Sequence, residues 1–172
     1  SSAGVPEEYA NETLVLPLND LEALKECIAA HPNEIACAII EPIPANNGLL
    51  LQDKSFLLAL RELCTQHGIL LFFDEVISGF RVAFGGATEY LGITPDLITY
   101  GKIIGGGLPV GAYGASAEIM SHVSPDGPVY QAGTLAGNPV AMAAGIAQLR
   151  ECAREGFYDD QRKRTETFVN KI

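Results

Sequence analysis

Basic residues are scarce in this 172-residue sequence: 11 lysines and arginines stand against 21 aspartates and glutamates, a formal net charge of −10. No basic face is visible, so nucleic acids and anionic membranes are poor partners, and the acidity serves solubility rather than a site. No apolar run reaches the length of a membrane span and no signal peptide is present, so a soluble chain is expected. Closely spaced cysteine pairs are missing as well. Cys27, Cys37, Cys64 and Cys152 form no C-x-x-C motif, and each lies in an apolar or helical context. They read as reduced core thiols of an intracellular protein. His31, His67 and His122 are scattered, which argues against a zinc site. No initiator methionine stands before Ser1-Ser2-Ala3-Gly4, so a fragment of a longer polypeptide is expected. Internal repeats and low-complexity segments are also lacking.

What is present is apolar and ordered. Hydrophobic residues make up 48% and charged residues 19%, which fits a globular α/β domain with a real core. Residues 1–11 read as a loop, and Glu12–Leu16 as a short strand. Asn19-Asp20 predicts an N-cap for a helix over Leu21–Ala30. Ile35–Ile40 and Ile69–Phe73 are continuous apolar runs, the habit of parallel strands buried on both faces. A helix is expected over Asp53–Gln66, with Gly68 just past its end. Leu97–Tyr100 and Val110–Gly114 read as further strands, and Ser116 opens a short helix. Asn138-Pro139 predicts the start of a long helix through Arg154, and Phe157–Ile172 a final, more polar one. Strand and helix alternate, so the expected fold is α/β, a mostly parallel sheet flanked by helices.

Ligands of such sheets bind at the carboxyl ends of the strands. Glu41, Asp74 and Lys102 each stand at or just past such an end. Lys102 lies between Gly101 and the run Gly105-Gly106-Gly107, where backbone can approach a bulky ligand closely. A lysine there is expected to be partly desolvated, which frees its amine for Schiff-base chemistry. Asp74-Glu75 admits a metal-pair reading, but no histidine neighbours it. A carboxylate that holds a pyridine nitrogen protonated, together with an imine-forming lysine, is what pyridoxal phosphate requires. Thr134, shortly before the helix that Asn138-Pro139 begins, is a candidate for the phosphate.

The segments Phe73–Arg81, Pro95–Gly107 and Tyr130–Thr134 resemble the class III, fold type I aminotransferases. Gly85-Gly86-Ala87, Gly111–Gly114 and Gly127–Gly145 resemble, within that class, the glutamate-1-semialdehyde 2,1-aminomutases. The resemblance runs from about Pro6 to Arg154. It implies pyridoxal 5'-phosphate as cofactor, with a pyridoxamine form in the cycle. It implies that Lys102 is the Schiff-base lysine, Asp74 the partner of the pyridine nitrogen, and Val76 the apolar residue on one ring face. Thr134 would bind phosphate from the neighbouring subunit of a dimer, and Glu41 and Asn46 would lie beneath the ring. The implied reaction converts glutamate-1-semialdehyde to 5-aminolevulinate in porphyrin biosynthesis. The alternatives are a class III ω- or β-amino-acid transaminase, or an inactive fragment. The resemblance implies a cytoplasmic enzyme, or one of the plastid stroma in a plant or alga. It also implies that residues 1–155 are the central part of the large domain, with 156–172 leading to a small C-terminal domain. The chain by itself is then expected to bind cofactor weakly and to be inactive.

Overall fold

Strand β1 (Cys37–Ile40), β2 (Leu70–Glu75), β3 (Leu97–Tyr100) and β4 (Ala112–Ala115) form one sheet in the order β1-β2-β3-β4. The computed structural model describes residues 2–172. The first three strands run parallel, and β4 returns antiparallel beside β3. Around the sheet lie α1 (Glu7–Ala10), α2 (Leu21–Ala30), α3 (Lys54–His67), α4 (Gly86–Leu91), α5 (Ala117–Met120), α6 (Pro139–Cys152) and α7 (Phe157–Val169). This is the mostly parallel α/β architecture that the alternating sequence pattern implies.

Local chemistry sets the helix ends. Asp20 caps α2 by accepting from the Ala23 N–H at 2.9 Å. Gly68 ends α3 at φ 67°, a left-handed position that favours glycine. Asn138 accepts from the Val140 and Ala141 N–H groups at the head of α6, with Pro139 in the first turn. At the far end, the Tyr158 hydroxyl on α7 donates to the Phe80 carbonyl at 2.9 Å.

The core lies on one side of the sheet. Leu71 and Phe73 of β2 are fully buried against Leu57, Leu60 and Cys64 of α3, with Leu24 and Ile28 of α2 completing the cluster. Each of these large side chains contributes about 1.5–3 kcal/mol by leaving water. The neighbouring positions point the other way, as strand geometry requires. There Cys37 is exposed, and Ile39 and Leu70 are 61% and 37% exposed. The expectation of burial on both faces is therefore corrected. The helices on either side of β1 in sequence, α2 and α3, both pack into the same core and leave the other face open.

Other expectations change in detail. The expected strand Glu12–Leu16 does not form: Glu12 lies in a turn, and Thr13–Pro17 has no regular structure and joins no strand. The segment Asn11–Leu18 and the β1 edge instead border an open groove of about 620 Å³. The expected N-terminal loop contains the single turn α1, and α4 forms where no helix was read. The fourth strand begins at Ala112, after Val110-Gly111. Of the cysteines, all free, Cys64 and Cys152 are buried, Cys27 is half-buried and Cys37 is exposed, so Cys37 is no core thiol. Among the described residues no helix is long and apolar enough to cross a membrane.

Candidate active site

The register of the parallel strands assembles the site. Ile40 pairs with Phe73, and Asp74 with Thr99. Glu41, directly after β1, therefore stands in the row of Asp74 and Thr99 at the carboxyl edge of the sheet. Lys102 follows two residues after β3 and opens a single 3₁₀ turn, Lys102–Gly105.

Asp74 is half-buried. Its Oδ1 accepts from the Val76 N–H at 3.0 Å and, at the long limit of 3.4 Å, from the Thr99 hydroxyl. Among the described residues no donor reaches its Oδ2. The carboxylate is thus oriented by one oxygen while the other keeps an acceptor position for a ligand N–H. Val76 packs on the backbone of Gly101: a Cβ there would stand 3.2 Å from Val76 Cγ1. Gly101 is buried and lets Val76 sit beside the start of the Lys102 turn.

Lys102 has φ 49°, a left-handed conformation that costs a side-chain-bearing residue about 1–2 kcal/mol. Strain of this kind persists only where the surroundings impose it. Here the surroundings are α6. A Cβ on Gly106 would meet the Ala144 carbonyl oxygen at 2.6 Å, and one on Gly145 would fall on the Ile104 carbonyl oxygen. The turn is therefore wedged backbone-to-backbone against the middle of α6. The Lys102 side chain itself is exposed. The expected partial desolvation is absent, because no part of the chain covers the sheet edge above it.

Asp74 and Glu75 are successive strand residues and so project to opposite faces. They cannot share one metal ion. Glu75 is fully buried on the face away from Asp74. Burial, and then the Glu75 charge, push the Tyr100 phenol above its ordinary range.

The structure brings Asp74, Val76, Thr99, Gly101 and Lys102 together. Asn46 and Thr134 make no hydrogen bond to any of them. Asn46 lies on the exposed loop after β1, and no hydrogen bond links it to these groups. The half-buried Glu41 side chain also makes none, although its backbone carbonyl accepts from Gln52 Nε2. Thr134 is exposed in the turn before α6. Two of the helix N–H groups that an anion would use are already taken by Asn138. Sequence reasoning missed Thr99 and read Glu75 only as half of a metal pair. The signal for Thr99 was its even spacing from Leu97 on a strand beside β2.

The open Oδ2 of Asp74 and the glycine-bordered Lys102 fit one side of a pyridoxal phosphate ring: a pyridinium partner, an apolar face at Val76 and an amine. Comparison with known proteins bears on the family and its cofactor. Residues 2–172 match the family described as Aminotransferase class-III. An omega-transaminase from Sphaerobacter thermophilus is similar at 44% identity and TM-score 0.81, over 87% of this chain and 35% of that one. The beta-phenylalanine aminotransferase from Variovorax paradoxus is 44% identical at TM-score 0.74, over 78% of this chain and 31% of that one. A transaminase with PLP bound is 38% identical at TM-score 0.81, over 87% of this chain and 36% of that one. The chain thus spans about a third of the length of these structures. Pyridoxal phosphate is the cofactor of class III aminotransferases, and with the family matched over nearly its whole length, this chain belongs to the class III aminotransferase family.

Proposed function

We propose that this chain is the cofactor-facing part of an enzyme that transfers an amino group of a small amino acid. Lys102 is the amine that holds pyridoxal phosphate, and Asp74 the carboxylate that keeps its ring nitrogen protonated. The observation that carries this reading is the free Oδ2 of Asp74, on the strand end beside the wedged Lys102 turn. When bound, the cofactor supplies an electron sink for negative charge at the substrate carbon. The chain's own groups do the rest. Asp74 Oδ2 accepts the ring N–H in a charge-assisted hydrogen bond, and Val76 presents methyl groups to one ring face. The exposed Lys102 Nζ takes up and returns a proton at the substrate carbon. Thr134 of a neighbouring subunit supplies a phosphate hydroxyl, in keeping with its exposure. Glu41 and Asn46 complete the polar floor once Asn46's loop is covered. In the same reading residues 1–155 belong to the cofactor-binding large domain, 156–172 lead toward a further domain, and the enzyme is a cytoplasmic dimer.

For the substrate we favour an ω- or β-amino acid and a keto-acid acceptor, supported by the 44% identity to the two transaminases above. A second reading, intramolecular transfer within glutamate-1-semialdehyde, rests on the segments Gly85–Ala87 and Gly127–Gly145. Amine-dependent conversion of pyruvate to alanine by the intact enzyme supports the first. Formation of 5-aminolevulinate with no added acceptor supports the second.

The cofactor reading is tested on the chain itself. Pyridoxal phosphate followed by borohydride leaves a stable label on the lysine that reacted, which peptide mass mapping locates. The label is expected on Lys102 ahead of Lys25, Lys54, Lys163 and Lys171, and lost from that peptide in Lys102→Ala. An even spread over all five lysines refutes the assignment.

A further inference from the structure

We infer that Glu75 is a positioning residue for the site: its buried carboxylate clamps residues 76–88 against the strand end and so fixes the backbone that carries Lys102. The inference rests on the proposed role of Lys102, and its test separates the two.

Glu75 is 0% exposed. Its Oε2 accepts from the Ser78 hydroxyl at 3.0 Å and the Ala87 N–H at 2.6 Å; its Oε1 accepts from the Thr88 N–H at 2.9 Å and the Thr88 hydroxyl at 2.7 Å. Four donors thus converge on one carboxylate, and no lysine, arginine or histidine among the described residues pairs with it. Two of the donors are N–H groups of the first turn of α4, so Glu75 caps that turn from another element. The carboxylate also excludes side chains around it. A Cβ on Gly86 would fall on Oε2, and Gly86 has φ 67°, so only glycine fits.

A buried, unpaired charge is a costly way to join two segments, since an apolar contact of similar size would stabilise more cheaply. What the carboxylate adds is direction. It sets the distance between the end of β2 and α4, and thereby the path of the intervening turn. That turn bears on Lys102 from two points. Val76 packs on Gly101, and a Cβ on Gly79 would stand 2.5 Å from the Tyr100 ring. Tyr100 and Gly101 immediately precede Lys102, whose φ of 49° must be imposed by its surroundings. The α6 wedge holds the turn from the far side, and the Glu75 clamp holds it from the near side. Neither contact touches the amine, so Glu75 acts through the backbone.

Glu75→Gln keeps the shape but turns one acceptor oxygen into an NH₂ donor facing donors. Thr88→Val removes a single hydroxyl bond and leaves Glu75 in place. Leu60→Ala, in the core of α3, serves as a control that lowers stability without touching the clamp. All are made in the full 172-residue chain. The first readout is the lysine labelling described above; the second is amide hydrogen exchange at Gly101–Ile103. In Glu75→Gln the share of label on Lys102 is expected to fall at least fivefold, with faster exchange at Gly101–Ile103. Thr88→Val is expected to give a smaller change in the same direction. Leu60→Ala is expected to keep the wild-type distribution. If Glu75→Gln does not fold, Thr88→Val decides. Wild-type labelling and exchange in the folded Glu75 or Thr88 variants overturns the inference, as does an equal shift in Leu60→Ala. If wild type does not favour Lys102, the cofactor reading fails, while the exchange data still decide whether Glu75 holds the turn.

Discussion

Replacing Gly145 by alanine sets two effects of opposite sign against each other. Gly145 lies inside α6, where alanine gains about 0.5–1 kcal/mol over glycine from helix propensity alone. A reading of the helix in isolation would therefore predict stabilisation. The structure predicts the reverse. The added Cβ would fall on the Ile104 carbonyl oxygen, and one residue away the Ala144 carbonyl already stands within 2.6–2.9 Å of where a Gly106 Cβ would be. Both contacts involve backbone, so no side chain can swing away and the turn must lift off the helix. Overpacking of this kind costs about 1–3 kcal/mol. The net loss is then about 0–2.5 kcal/mol, centred near 1 kcal/mol, or roughly 2–4 °C in Tm for a chain of this size. Calorimetry on Gly145→Ala measures it. Ala143→Gly, at an exposed position of the same helix, calibrates propensity and should lose about 0.5–1 kcal/mol. A Gly145→Ala chain more stable than wild type would refute the close approach. If the reasoning holds, the variant should also lose Lys102 labelling selectivity, because the lifted turn begins at Lys102.

Two further perturbations test the scaffold. Burial pushes the Cys64 thiol from 9.0 up to about 11, so between those values the unfolded thiol ionises while the folded one does not. Stability should therefore fall as pH rises from 9 to 11, by at most about 2–3 kcal/mol; urea midpoints across that range should flatten in Cys64→Ala, and an unchanged slope would assign the loss to other groups. Asp96 Oδ2 accepts from both Arg61 Nη1 and the buried Leu71 N–H at 2.7 Å. Asp96→Ala should cost about 2–3 kcal/mol, chiefly by orphaning the N–H, whereas Asp96→Asn should cost less than half of that. Equal urea midpoints for the two variants would show that the charge, not the N–H, carries the effect.

The sequence was most legible where local chemistry decides. Asp20, Gly68 and Asn138-Pro139 punctuate the helices as their side chains and backbone preferences require. The row Glu41, Asp74, Lys102 followed from strands that end together. Where long-range packing decides, the pattern was silent. Nothing local marks Gly145 as a contact point, since a glycine in a helical pattern reads only as a weak spot. Glu75 was weighed as half of a metal pair because adjacency in sequence hides the opposite faces of a strand. Glu12–Leu16 alternates weakly like a strand but joins no ladder. The apolar run through Ile39 reads as doubly buried because composition does not record which face the helices choose.

The open groove beside β1 gives the acidic composition a second meaning. β1 is an outer strand of the sheet, and the segment Asn11–Leu18 borders the same groove without bonding to it. Such an edge offers unpaired backbone groups to another chain, and two copies that each carry −10 repel one another at low salt. That barrier is ionic in origin. Its range shrinks from about 10 Å at 0.1 M salt to about 3 Å at 1 M. Salt, which leaves the core untouched, therefore shortens the reach of that repulsion along the edge.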